Sequence, residues 1–361
     1  MGTIFFTGFP GFLGTALLPR VLAGRDDGSA ACLVQPKYAA LARRRLARLE
    51  AEAPGLGGRI LLVEGDLAEP GMGLAAASQL ASRTTEIYHL AAIYDLEVSR
   101  PVAMRVNVEG TRRVVAFARQ CASLRRLHYV STCYVSGRHP GVFGEADLDV
   151  GQRFNNAYEE TKFLAEQEVQ EAMHGGLPTT IYRPAIVVGD SDTGATQKYD
   201  GPYHLVRLLL RQPHLAFLPL VGNSAASRVT LIPRDVVIAA IDFLARRERS
   251  LGRVYQLADP DPPTVRETAE ILAKALRKRL VSVRVPRRLA GRALENRLVR
   301  RVVGIPPALI DYFTHPTRYS VTQAEADLDG SGVVLPSFRS YAERIVSFVE
   351  ENPDMDDAPM A

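Results

Sequence analysis

Short apolar runs alternate with longer amphipathic stretches through the first half of the chain. Residues 3–7 form the first apolar run, and apolar positions with helical spacing follow from Phe12 to about Leu22. A long basic stretch with helical spacing passes through Arg43, Arg44 and Arg45. This alternation predicts βαβ units joined into a parallel sheet. The other runs interpreted as its strands are 31–34, 59–63, 86–90, 127–131 and 179–182, with helices at about 106–122 and 156–173.

The pattern loosens after Gly189. Residues 190–227 are rich in Gly, Pro and Asp and contain one helical candidate at 204–210, so we expect them outside the sheet. Runs at 229–232 and 254–257 are interpreted as returning to it. We therefore predict a Rossmann-like, doubly wound α/β fold with a smaller, mainly helical C-terminal substrate lobe. The dinucleotide-binding domain takes 1–190 and 228–260, the lobe takes 191–227 and 261–350, and 351–361 form a flexible tail.

Composition is that of an ordinary globular protein. Hydrophobic residues make up 47% and charged residues 23% of 361 positions, and no apolar run is long enough to span a membrane. The three cysteines, Cys32, Cys121 and Cys133, have no spacing typical of a disulfide framework or a zinc site, so buried thiols and no metal are expected. We expect a cytoplasmic protein.

The net charge of +4 is concentrated late in the chain. Residues 274–301 contain eleven Lys and Arg residues against one acid, Glu295. This segment could meet an acidic carrier protein or the phosphates of a coenzyme, or rest peripherally on an anionic membrane through a helix bearing Leu289, Ala293, Leu294 and Leu298. It could equally be a solvated surface. A nucleic-acid partner is not indicated, and the oligomeric state is not readable.

A glycine-rich turn follows the first strand directly and opens the first helix. Such a turn lets a pyrophosphate approach the backbone and places the N–H groups of a helix N-terminus toward it. The sequence thus predicts a dinucleotide site. Its residues are Gly8, Phe9, Gly11, Phe12, Leu13 and Gly14.

The end of the second strand bears on the choice of cofactor. Enzymes that use NAD usually place an acid there for the ribose hydroxyls, but this chain has Gln35 and then Lys37. Lys37, with Arg43 or Arg44, could bind a 2′-phosphate, so NADP(H) is favoured. The alternative is that these cations are solvated.

The third and fourth strands end in further candidates. Asp66, followed by Leu67, is suited to accept a hydrogen bond from the adenine amine, or else it caps a helix. Ala91 and Ala92 provide small residues beside the cofactor, and His89 is interpreted as structural.

Tyr158 and Lys162 lie four residues apart and therefore on one face of a predicted helix. A phenol is a poor proton donor at neutral pH, and we expect the neighbouring ammonium to lower the pKa of Tyr158. Ser131 and Thr132 stand at the carboxyl end of the preceding strand, where a hydroxyl could donate to a substrate carbonyl. These residue types in this order indicate a hydride-transfer enzyme.

From the glycine turn to Arg183 and Pro184, the chain resembles extended short-chain dehydrogenases/reductases. The resemblance implies that Thr132 is the catalytic hydroxyl, with Ser131 as a substitute, and that Asn107 supports the lysine through water. It also implies that Pro184, Ala185 and Ile186 lie beside the nicotinamide.

Several segments are most like the fatty acyl-CoA reductase and thioester reductase branch, which carries a male sterility-type NAD-binding domain. They are 129–135, 183–191, 199–203 and 232–237. The resemblance implies NADPH-dependent reduction of an acyl thioester, on coenzyme A or a carrier protein, to an aldehyde and in some cases an alcohol. The alternatives are a ketone, secondary alcohol or steroid-type dehydrogenase, a nucleotide-sugar epimerase, and a non-catalytic NADP sensor.

Overall fold

The computed structural model describes residues 2–25, 28–286, 309–353 and 355. Its strands are Thr3–Thr7 (β1), Ser29–Val34 (β2), Ile60–Glu64 (β3), Thr84–His89 (β4), Arg126–Val130 (β5), Gly141–Phe143 (β6), Thr179–Pro184 (β7), Ile186–Val188 (β8), Leu215–Val221 (β9), Leu231–Pro233 (β10), Val254–Leu257 (β11), Arg279–Val285 (β12) and Thr317–Tyr319 (β13). Its α-helices are Phe12–Ala23 (α1), Ala39–Glu52 (α2), Ala77–Arg83 (α3), Arg100–Ala103 (α4), Glu109–Gln120 (α5), Ala157–His174 (α6), Tyr203–Leu210 (α7), Arg234–Ala245 (α8), Val265–Ala275 (α9), Leu309–Phe313 (α10), Thr322–Leu328 (α11) and Ala342–Glu351 (α12).

Within these residues, seven strands form the central sheet in the order β11-β7-β5-β4-β1-β2-β3. Every neighbouring pair is parallel, which confirms the doubly wound prediction. The strand order reverses between β1 and β4, and a crevice at the carboxyl ends of the strands is expected at such a point. The glycine turn and Ser131 lie at these ends.

The sheet is covered on both faces, as expected for parallel strands that are nearly continuous apolar runs. Helices α1 and α8 pack together on one face, and α5 and α6 pack together on the other. The strands between them are almost fully buried; β2, β5 and β7 have no exposed residue. This rigid layer fixes where the strand ends project their side chains.

Three small sheets were not anticipated. The run at 229–232 was expected to rejoin the main sheet, but β10 pairs with β8 in a separate two-stranded sheet. The lobe was expected to be mainly helical, but it contains β9 paired with β12, and β13 paired with β6. Of these pairs, β6–β13 joins the predicted sheet domain to the predicted lobe, whereas both strands of β9–β12 lie within the lobe.

The basic segment is described only as far as residue 286. The helix predicted around Leu289, Ala293, Leu294 and Leu298 lies outside the described residues, as does most of the predicted tail. Among the helices the structure describes, none combines the length and apolar character needed to cross a membrane.

Candidate active site

The glycine turn between β1 and α1 depends on two of its glycines for its shape. Gly8 has a φ of +98°, a conformation that side chains rarely adopt. A Cβ on Gly14 would lie 2.3 Å from the Gly8 carbonyl oxygen, so α1 packs directly on the turn. The first turn of α1 carries no acidic side chain. The helix N-terminus is therefore open to an anion.

We expect Gly14→Ala to weaken dinucleotide binding by about tenfold or more, because the turn must shift to relieve the new contact. Gly55 is the matched control, since a Cβ there meets nothing within 4 Å. Titration of both variants with NADPH by calorimetry tests this. Equal affinity in Gly14→Ala and Gly55→Ala would show that the close approach of α1 does not shape the site.

A cavity of about 400 Å³ extends from the glycine turn across the carboxyl ends of the strands. It brings together most of the side chains singled out in the sequence. Those that line it are Gly8, Phe9, Gly11, Phe12, Leu13, Gly14, Gln35, Leu67, Ala91, Ala92, Ser131, Thr132, Tyr158, Lys162, Pro184 and Ile186. Three others, Lys37, Asp66 and Asn107, are not part of its lining.

The cation at the Gln35 end of the cavity is Arg45, not Lys37. Lys37 lies over the Tyr38 ring, 4.9 Å from its centroid. Arg45 lines the cavity, donates to the Pro10 carbonyl, and pairs with no carboxylate among the described residues. Burial lowers the pKa of Arg45, as expected for a cation without a nearby anion.

Helical spacing is the signal in the sequence that could have identified Arg45. Positions 38, 42, 45 and 49 share one face of α2, and Ala42 on that face is fully buried. Arg43 and Arg44 fall on the exposed face instead. Of the three consecutive arginines, the periodicity therefore selects Arg45 as the one directed at the protein.

Asp66 and His89 have structural partners. The Asp66 carboxylate accepts from Ala68 N at 2.8 Å in the turn after β3. The next helical turn begins at Pro70 and has Glu69 as its N-cap, so Asp66 is not a helix cap, and its contact with the adenine amine stays a prediction. His89 is bonded on both ring nitrogens, to Thr7 Oγ1 at 2.8 Å and Thr111 Oγ1 at 3.0 Å. Burial lowers the pKa of His89 to about 3, so the ring is neutral at physiological pH.

Asn107 lies in a π-helical turn, Met104–Val108, between α4 and α5. Its side chain accepts from Ile93 N at 2.8 Å and donates to Thr161 Oγ1 at 3.0 Å. It thus joins the loop after Ala92 to the residue that precedes Lys162. Such turns are frequent at functional sites.

Tyr158 lies in the first turn of α6, which begins where Asn156 accepts from Glu159 N at 3.0 Å. Thr132 follows β5, and its hydroxyl donates to the Pro184 carbonyl at 3.4 Å. Burial raises the pKa of Tyr158, and neighbouring Thr132 opposes the rise. Both side chains line the cavity.

The Lys162 ammonium is held by β5. It donates to Tyr129 Oη at 3.0 Å and to the Val130 carbonyl at 2.9 Å. Burial lowers the pKa of Lys162 to about 7. That Lys162 lowers the pKa of the Tyr158 phenol stays a prediction.

Ser131 lies beside this pair without joining it. Its N–H donates to the Tyr182 carbonyl at 2.7 Å, which extends the β5–β7 pairing by one residue. Its hydroxyl is buried and has no hydrogen-bond partner among the described residues. Because Thr132 and not Ser131 acts on the pKa of the phenol, we favour Thr132 as the hydroxyl that acts with Tyr158.

The side of the cavity opposite the glycine turn contains residues that the sequence patterns did not single out. The Tyr94 ring lies edge-on to Tyr158 with centroids 5.1 Å apart. Lys198 Nζ lies 4.7 Å from the Tyr94 centroid and pairs with Asp200 at 2.5 Å. Tyr312 reaches the same wall from α10. No local motif marks these positions, because they come from three distant loops and helices.

Comparison with known proteins finds one matching family model and several relatives of partial length. The family model described as Male sterility protein, an NAD-binding domain, matches residues 6–241. The chain is 29% identical over 275 residues to "Non-canonical nonribosomal peptide synthetase FrzA" of Cladobotryum sp, covering 72% of this chain and 26% of that protein. It is 32% identical over 287 residues to "Glycine betaine reductase ATRR" of Emericella nidulans, covering 75% of this chain and 22% of that protein. The chain thus spans about a quarter of the length of these relatives.

A solved structure covers nearly the whole chain. The terminal R domain from the myxalamid PKS-NRPS biosynthetic pathway superimposes with a TM-score of 0.80 and 27% identity. The match covers 99% of this chain and 92% of that domain. The similarity therefore includes the lobe as well as the sheet domain.

Proposed function

Because this chain belongs to the Male sterility protein family of NAD-binding domains, and is an extended short-chain reductase, we propose that it reduces a carrier-bound acyl thioester to an aldehyde with NADPH. The observation that carries the proposal is one cavity lined by the glycine turn at one end and by Thr132, Tyr158 and Lys162 at the other. The peptide synthetase relative and the R domain of a PKS-NRPS pathway support the carrier part of the proposal, and the relative named a reductase supports the reduction.

The cavity fits a dinucleotide. The close approach of Gly14 to Gly8 leaves backbone rather than side chain facing the α1 N-terminus, where the pyrophosphate would be held. Arg45 would face the 2′-phosphate, and Gln35 introduces no negative charge to repel it. Pro184 and Ile186 would flank the nicotinamide, whose ring supplies a hydride to the substrate.

The roles of the catalytic side chains follow from their positions. Thr132 and Tyr158 would both donate to the thioester carbonyl oxygen, and they stabilise the negative charge that develops there on hydride addition. The phenol proton passes to that oxygen, which gives a hemithioacetal. When the C–S bond breaks, the phenolate takes the hydroxyl proton back as the aldehyde forms, and the thiolate leaves and is protonated. The sum consumes one hydride and one proton and releases a thiol.

The cationic residues at the end of α9 and in β12 provide a surface suited to an acidic carrier. Lys274, Arg277, Arg279 and Arg284 are exposed. Charge complementarity of this kind raises the rate of encounter more than it raises affinity. We assign this surface to the approach of the carrier protein that delivers the thioester.

A substrate screen tests the proposed function. Acyl and aminoacyl thioesters of pantetheine, of coenzyme A and of a carrier protein are each supplied with NADPH, and the aldehyde and the free thiol are quantified. We expect one thiol per aldehyde and the fastest turnover with the carrier. Turnover of ketones or nucleotide sugars in place of thioesters would overturn the proposal, and so would NADPH binding without any reduction. Aldehyde supplied alone tests for a second reduction to alcohol.

We expect Arg45→Ala to weaken NADPH binding by about ten- to hundredfold, because it removes a charge-assisted contact to the 2′-phosphate. NADH lacks that phosphate, so its affinity should change little. The measurement is the dissociation constant of each cofactor, with exposed Arg44→Ala as the matched control. Equal weakening of both cofactors would assign Arg45 only to the support of the Pro10 carbonyl, and loss of NADPH preference in Lys37→Ala would restore Lys37 as the phosphate ligand.

A further inference from the structure

The ammonium group of Lys162 is hydrogen-bonded to two groups of β5. Its ammonium donates to the hydroxyl of Tyr129 and to the carbonyl of Val130, and its side chain reaches the cavity lining. An ammonium has three N–H bonds. Two are therefore committed to β5, and the third is left for the cavity, where the cofactor ribose and the Tyr158 phenol would be.

Tyr129 belongs to a buried network that extends away from the cavity. Burial raises the pKa of its hydroxyl, and neighbouring Thr111 opposes the rise. The Thr111 hydroxyl donates to the Asn107 carbonyl at 2.6 Å and also contacts His89 Nε2 at 3.0 Å. The other nitrogen of His89 contacts Thr7, the residue before the glycine turn, at 2.8 Å.

The donor directions in this network can be worked out. The Thr111 hydroxyl has one proton, and it goes to the Asn107 carbonyl, which can only accept. Thr111 Oγ1 must then accept from His89 Nε2–H. The neutral His89 ring has one N–H, so its Nδ1 accepts from Thr7. Each hydrogen bond among Thr7, His89, Thr111 and the Asn107 carbonyl therefore has an assigned donor and acceptor.

We propose that Tyr129 is a positioning residue for the reduction: its hydroxyl, with the Val130 carbonyl, holds the Lys162 ammonium so that one N–H faces the cofactor ribose and Tyr158. The inference rests on the proposed function for its catalytic consequence. The holding of the lysine is a property of the ligand-free chain and is measurable by itself.

The test compares Tyr129→Phe with Tyr182→Phe. Both remove one buried tyrosine hydroxyl, but the β5–β7 register pairs Tyr129 with Ile181 and Val130 with Tyr182, so the two rings lie on opposite faces of the sheet. The Tyr182 hydroxyl contacts His128 at 3.1 Å, away from the lysine. Thr111→Val is a milder second variant that keeps the Tyr129 hydroxyl and removes the neighbouring hydroxyl group that acts on its pKa.

The first readout is the titration of Lys162 in the cofactor-free protein, followed by NMR of ¹³Cε-labelled lysine and assigned with Lys162→Met. The groups that face Lys162 are Glu166 on α6, which is paired with Arg183, and neutral His89 on β4. We expect Tyr129→Phe to lower the pKa of Lys162 by about one unit, because the ammonium loses an acceptor. Thr111→Val should lower it less, and Tyr182→Phe should leave it unchanged.

The second readout is the rate of thioester reduction. In Tyr129→Phe we expect kcat to fall by about tenfold or more with little change in KM for the thioester, and the loss of activity at high pH to begin at lower pH. An unchanged Lys162 titration and kcat in a folded Tyr129→Phe protein would overturn the inference. If the wild-type protein reduces no thioester but the titration shifts as expected, the proposed function fails and the anchoring of the lysine stands.

Discussion

Tyr158→Phe is expected to lower kcat/KM for thioester reduction by about 10²- to 10⁴-fold, the usual contribution of a positioned proton donor. The substitution removes the only atom that can protonate the carbonyl oxygen from this side chain and keeps the ring that packs edge-on against Tyr94. Steady-state NADPH consumption with a pantetheine thioester measures the effect.

NADPH affinity and the circular dichroism spectrum should be unchanged, because the ring still fills its place on α6. Tyr182→Phe serves as the control for loss of a buried tyrosine hydroxyl elsewhere in the protein. Retention of more than a tenth of the wild-type kcat/KM in Tyr158→Phe would transfer the role of proton donor to another group. Thr132 and Ser131 would then be the next residues to substitute.

Arg183→Met is expected to destabilise the fold by about 3 to 5 kcal/mol, because it leaves a buried carboxylate without its cation. Arg183 and Glu166 are both fully buried and join β7 to α6 through a contact of 2.6 Å. The same guanidinium donates to the Asp147 carbonyl at 2.7 Å. Urea unfolding followed by circular dichroism gives the change in stability.

The double variant Arg183→Met with Glu166→Leu should recover most of the loss, since an apolar pair of similar volume removes the uncompensated charge. The exposed pair of Arg100 and Glu160 provides the comparison, and Arg100→Met should change stability far less. If Arg183→Met unfolds at the same urea concentration as the wild type, the pair does not hold α6 against the sheet.

The central sheet could be predicted because its strands are buried on both faces and therefore read as continuous apolar runs. The helical segment that contains Asn107 begins at Arg100, earlier than the start predicted at about residue 106. Pro101 should have indicated this start, because proline is common at the first helical position. The β9–β12 pair escaped prediction for a different reason. Its partners are more than sixty residues apart, and periodicity along the chain carries no information about such pairing.

The residues of the candidate site also divide into those that local sequence predicts and those that it does not. Glycines and the Tyr158–Lys162 spacing are local features, and the cavity brings them together as the motifs implied. Arg45 could have been identified from its position on the buried face of α2. Lys198 and Tyr94 could not, because their place in the cavity depends on the paths of loops that no sequence motif describes. The direction of the Lys162 ammonium depends on the strand residue Tyr129. The sequence did not single out Tyr129, because a tyrosine is common in any buried strand.

The edge strand beside β7, β11, is the last strand of the central sheet in chain order. β11 lies beyond residue 241, where the family match ends, yet it supplies the outer partner of β7. During synthesis, the ribosome must add β11 before β7 ceases to be an open edge, and until then its unpaired backbone groups can recruit other chains. A shortened chain that stops at 241 would keep that aggregation-prone edge permanently, even though every residue assigned to catalysis would still be present.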